Sequence, residues 1–157
     1  MRQSLFKLCS AAVALAAVAI SISAADQRAG KIPVISARSY VSGSAQVTVT
    51  GSFQINEDIA INKQASFSDG EMTWLQYGAS GSEAANLLVT VSPDEVGVNV
   101  GRGKQTATAG GEGCTGNMDV TGNSVSAHYK CLNVTSYDPR SGQMGKVNIE
   151  IHLTAKS

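Results

Sequence analysis

Between Val47 and Ile55 the odd positions are apolar or Gly and the even positions polar: Val47, Val49, Gly51, Phe53 and Ile55 against Thr48, Thr50, Ser52 and Gln54, with Gln46 continuing the polar set. A period of two sustained this long predicts a strand from Ala45 to Ile55 with one buried face. No long segment shows helical spacing. Val, Ile and Thr gather in short runs, Gly is frequent and Pro scarce, which is a strand composition.

Turn chemistry then divides the chain into hairpins. Ile55 and Ile59 flank an expected bend at Asn56-Glu57-Asp58. Asp69-Gly70 predicts a two-residue turn, because both residues tolerate positive φ. That register pairs Phe67 with Met72 and Ala65 with Trp74, and directs these large groups to the core. Leu75 and Tyr77 fall on the other face, where they form a candidate contact patch if it is open, or pack beneath a second sheet. Pro93-Asp94 closes another hairpin, with Val91 facing Val96, Val89 facing Val98 and Leu87 facing Val100.

The best-determined hairpin turns at Gly122-Asn123. Its register sets Val120 against Val125, Met118 against Ala127, Gly116 against Tyr129 and Cys114 against Cys131, all on one face. The two cysteines become a non-hydrogen-bonded pair with Cα atoms roughly 4.5 Å apart, close enough for a disulfide. Two cysteines with no His or Cys cluster beside them do not make a zinc site.

A fourth hairpin closes around Asp138-Pro139-Arg140-Ser141-Gly142, pairing Asp138 with Gln143, Tyr137 with Met144 and Val134 with Val147. The apolar phase slips from odd positions up to Cys131 to even ones at Leu132 and Val134, and a β-bulge near Leu132 repairs it. The bulge brings His128 opposite His152 on the polar face, with Glu150 two residues along. These three are weak candidates for a divalent-metal or pH-sensitive contact; two solvated histidines are the plainer reading, since a third convincing ligand is missing.

The N-terminus changes the setting. Arg2 and Lys7 precede an apolar run from Leu8 to Ile22, and Ser23-Ala24-Ala25 fits a small-x-small cleavage rule, so residues 1–25 read as a signal peptide. The run is short for a membrane span, and cleavage leaves no transmembrane anchor. Cys9 leaves with the signal. Segment 26–44 is then an extended N-terminal stretch and 45–157 a single all-β domain. Loss of Arg2 and Lys7 from twelve basic residues leaves ten against twelve acidic ones, which offers nucleic acid no general attraction. Export also provides the oxidising compartment a disulfide needs.

Chemistry-bearing motifs are scarce. Gly103-Lys104 lacks the rest of a P-loop, Gly101-Arg102-Gly103 stands in no strand-to-helix unit, and Gly78-Ala79-Ser80-Gly81 misses the nucleophile elbow by one position. No catalytic residue and no cofactor is assigned. Asn133-Val134-Thr135 matches a glycosylation acceptor. Gln46 to Phe53 and the last strand, with Val147, Ile149, Ile151 and Leu153 inward, are similar to the donor and terminal strands of chaperone-assembled pilins. The penultimate Tyr of that family is missing, and the disulfide joins a late hairpin. His128-Tyr129-Lys130 and the last strand are distantly similar to exported mycobacterial lipoprotein antigens, without their lipidated cysteine. Neither likeness assigns a family.

The sequence thus predicts an antiparallel meander of about eight or nine strands forming a sandwich or partly closed barrel. The expected role is exported, periplasmic or extracellular, and non-enzymatic: binding or display at the envelope, with a protein or small apolar ligand as partner. A pilin-like fibre subunit and a small-ligand carrier are the alternatives.

Overall fold

Tight turns and two-residue alternation account for most of the architecture. The computed structural model describes residues 32–33, 35–79 and 83–157; the leader expected over 1–25 lies outside them. The strands are β1 (Arg38–Ser39), β2 (Ser42–Gly51), β3 (Ile55–Ala60), β4 (Phe67–Ser68), β5 (Thr73–Tyr77), β6 (Ala85–Val91), β7 (Val96–Arg102), β8 (Gln105–Gly110), β9 (Cys114–Thr121), β10 (Ser124–Asp138) and β11 (Gln143–Lys156). Among the described residues the helical content is one 3-10 turn, Gly111–Gly113, and no helix is long and apolar enough to cross a membrane.

All eleven strands join one antiparallel sheet in the order β1-β4-β5-β6-β7-β8-β10-β11-β2-β3, with β9 on β10. The sheet curls into an open half-barrel rather than folding as the two layers of a sandwich, and it has more strands than the turn count suggested. β10 makes this possible by its length. Its first half pairs with β9 and its second half with β8, while β11 lines its other edge throughout. β2 adds to the far side of β11 from Ser42 to Gly51. Beyond β3, Ile61 bridges Tyr77, and Asn62 and Gly78 donate backbone hydrogen bonds to Gln76 and Ala60 (2.7 and 2.9 Å). That short contact draws the two ends of the curl together without a full ladder.

The concave face is the core. Val47, Val49, Ile55, Leu87, Val89, Val98, Tyr129, Ile149, Ile151 and Leu153 are all buried there. Side chains from many strands interdigitate inside the curl, as in a small barrel whose interior is filled.

The Gly122-Asn123 hairpin has the expected register at every pair from Ser124–Thr121 to Cys131–Cys114. Gly122 takes φ 56°, the left-handed conformation this turn demands. Gly116 serves a different need: a Cβ there would stand 2.6 Å from the Tyr129 ring, so its absence lets the ring lie across the neighbouring strand. The Pro93 hairpin and the Asp138–Gln143 closure also pair as read from the sequence. The bulge falls between Cys131 and Val134. Asn133 adopts φ 55°, Leu132 swings outward to 57% exposure and Val134 returns to the core.

Three expectations need correction. First, β2 ends at Gly51, and Asn56-Glu57-Asp58 lie within β3 instead of forming a bend. The turn at 52–54 preserves parity, so Phe53, Ile55 and Ile59 stay inward and the two strands read as one.

Second, the hairpin at Asp69-Gly70 pairs Phe67 with Trp74 and Ser68 with Thr73, not Phe67 with Met72. The Asp69 amide donates to the Met72 carbonyl (3.1 Å) and Asp69 Oδ1 accepts hydrogen bonds from the Met72 and Glu71 amides (2.8 and 2.9 Å), an Asx-type closure that centres the turn on Gly70-Glu71 rather than Asp69-Gly70. The new register sets Phe67 directly against Trp74, with ring centroids 4.7 Å apart, and the stack lies outside because β5 turns Thr73, Leu75 and Tyr77 inward with β6. Third, Leu75 and Tyr77 form no contact patch: both are 0% exposed, because they pair with Val89 and Leu87 of β6 and share its inward face. The inward serines of this region are satisfied, Ser66 by the Gln76 carbonyl and Ser68 by the Ile35 carbonyl.

The N-terminal stretch expected to be merely extended contributes to the fold. β1 and the start of β2 lie inside residues 26–44, and Ile35 and Tyr40 are buried in the core.

The Asp69 loop carries a pH prediction. The Met72 and Glu71 amides hold its carboxyl below the usual carboxylate range. A group depressed in the folded state stabilises fully above its unfolded pKa, near 4, and loses that contribution as pH falls through the folded value. Asp69→Asn keeps an acceptor and abolishes the titration. It should flatten part of the acid limb of stability below about pH 4, measured by urea unfolding at stepped pH.

Candidate functional site

The outer face of β10 and β11 carries a grouping of chemistry-bearing side chains that the register itself assembles. Because the bulge takes up one residue, His128 faces His152 and Lys130 faces Glu150. Period-two alternation keeps all four side chains on the convex, solvent side. Their strands sit in mid-sheet, with β9 beyond His128 (Asn117) and β2 beyond His152 (Gln46).

The two imidazoles stack, with centroids 4.0 Å apart and planes 8° from parallel. Glu150 Oε1 lies 3.2 Å from His128 Nε2 and 3.8 Å from His152 Nε2, while Oε2 lies 3.6 Å from Lys130 Nζ. The carboxylate is thus divided between two tasks: one oxygen faces the imidazoles, the other the ammonium. The His128 hydrogen bond, then the Lys130 charge, hold the Glu150 carboxyl below its usual range. Side chains here remain about two-fifths to one-half exposed.

Among the described residues, His128, Glu150 and His152 are where three His, Cys, Asp or Glu side chains bring ligand atoms together, all within 4.8 Å of one another. Sequence reasoning found the trio and missed Lys130, although Lys130 shares the parity of His128 and faces Glu150 once the bulge is counted.

Elsewhere the site residues read from the sequence separate into structural roles. Cys114 and Cys131 form a disulfide with Cα atoms 4.1 Å apart, both buried on the core face. Asn133 of the glycosylation sequon is exposed at the bulge, next to buried Val134. A cleft of ≈ 90 Å³ opens between Phe53, Gln105, Ser136, Tyr137 and Met144, small beside the roughly 300 Å³ at which small-molecule pockets begin.

No protein-family model, curated protein or solved structure matches this chain.

Proposed function

We propose that this protein is an exported, non-enzymatic β-domain that acts in binding or display at the cell envelope or outside the cell. The observation that carries the reading is the buried disulfide of β9 and β10, a cross-link that persists in oxidising compartments and is rare in reducing ones. It agrees with the apolar leader from Leu8 to Ile22 and the small residues at 23–25. The polar convex face of the half-barrel, built on mid-sheet strands, offers a rigid surface for contact with a partner.

The alternatives draw less support. A donor-strand fibre subunit needs an unfilled groove beside its terminal strand. Here β11 is paired on both edges, by β10 and β2. A carrier needs interior space, and the concave face is occupied by packed side chains.

Fractionation of the source cells with thiol alkylation and intact-mass measurement tests the proposal. The expected result is an envelope or extracellular chain that lacks residues 1–25 and has no alkylatable thiol. A full-length cytosolic chain with three alkylated cysteines would overturn it.

A further inference from the structure

We infer that the convex face of β10 and β11 binds one late first-row divalent metal ion, Zn²⁺ or Cu²⁺, through His128, His152 and the Oε1 atom of Glu150. This goes beyond display, and either reading can fail alone.

The donor set selects the ion. Two imidazoles and a single carboxylate oxygen suit Zn²⁺ and Cu²⁺, whereas Ca²⁺ and Mg²⁺ call for shells of oxygen. The spacing is close to what such an ion needs. With metal–ligand bonds of about 2.0–2.1 Å in a tetrahedral arrangement, neighbouring ligand atoms stand roughly 3.3 Å apart. Glu150 Oε1 already stands 3.2 and 3.8 Å from the two imidazole Nε2 atoms. The stacked rings must splay so that their lone pairs converge, and their partial exposure leaves room for that rotation.

Placement supplies what three exposed ligands otherwise lack. All sit on adjacent strands with fixed register, and sites on regular strands hold geometry better than sites on loops. Lys130 engages Oε2 and leaves Oε1 turned toward the imidazoles, an orienting contact of the kind that positions metal-ligating carboxylates. Three protein ligands leave a coordination position open to water or to a donor from a partner molecule.

The test is calorimetric titration of the metal-stripped, oxidised full chain with ZnCl₂ and CuSO₄, with CaCl₂ and MgCl₂ as comparisons. One equivalent of Zn²⁺ or Cu²⁺ should bind and the two hard ions should not. His128→Asn and His152→Asn should each weaken binding on the order of tenfold or more, as loss even of supporting groups typically does, and Glu150→Gln should weaken it less. Electron paramagnetic resonance of the Cu²⁺-loaded wild type should show coupling to two imidazole nitrogens, a readout that requires no variant to fold. No saturable binding at millimolar metal, affinity unchanged in both histidine variants, or a copper spectrum without imidazole coupling would overturn the assignment.

Discussion

Tyr77→Ala should cost about 3–5 kcal/mol of stability, in the range measured for emptying a buried aromatic site. The ring is 0% exposed, and it sits where the curl of the sheet is drawn in. Tyr77 pairs with Leu87 of β6 on one side and bridges Ile61 on the other. Its hydroxyl donates to the Thr154 carbonyl of β11 at 3.0 Å, so one side chain ties β5 to a strand far from it in the chain. Burial, and then the neighbouring Tyr40, push its phenol pKa up, which keeps the donor proton in place. Tyr77→Phe retains the ring and removes only the hydrogen bond, for roughly 0.5–1.5 kcal/mol. Urea unfolding followed by tryptophan fluorescence measures both. A surface contact residue would instead change stability by less than about 0.5 kcal/mol on truncation, so an alanine variant with an unchanged midpoint would contradict the inward placement.

The same residue shows where sequence reasoning reaches its limit. Turn signals fix register when the side chains at the turn are passive, as at Gly122-Asn123, and every downstream pair then follows from the period of two. At Asp69 the side chain is an active acceptor for two amides. That moves the turn one residue along, to Gly70-Glu71, shifts the pairing by two residues and leaves parity to be decided by β6. Parity there was readable only by matching Thr73, Leu75 and Tyr77 to Val91, Val89 and Leu87, a comparison between hairpins and not within one.

Long-range closure was less legible still. The pairing of β2 with β11 joins residues about a hundred positions apart, and no local pattern announces such a partner. The Val41 amide reaching the Lys156 carbonyl at 2.9 Å is why the strand begins before Ala45. The histidine trio, by contrast, was legible because it depends only on the β10–β11 register and one bulge. Those were set by the phase slip at Leu132 and the closure at Asp138 and Gln143.

Replacing Cys114 and Cys131 together by alanine should lower stability by about 3 kcal/mol, since the cross-link spans 17 residues and loops of that size lose roughly this much chain entropy in the unfolded state. The protein should nonetheless fold, because the core extends well beyond the cysteines, through β2, β6, β7 and β11. The loss should be uneven. Among the described strands, β9 pairs with β10 alone and lies off the main path of the sheet, so no second strand there holds it when the staple is gone. Amide exchange should therefore quicken first over residues 114–121, through local opening that leaves the global unit intact, while the β10–β11 and β11–β2 ladders stay protected. Because His128 faces Asn117 of β9 on one side and His152 of β11 on the other, fraying of β9 should loosen the flank of the trio and leave its β11 half in place. Urea titrations with and without a phosphine reductant, read alongside exchange on the double variant, check both parts. An unchanged midpoint on reduction would mean that the cross-link does not constrain the unfolded chain, and uniform loss of protection would mean that β9 is not a separable element.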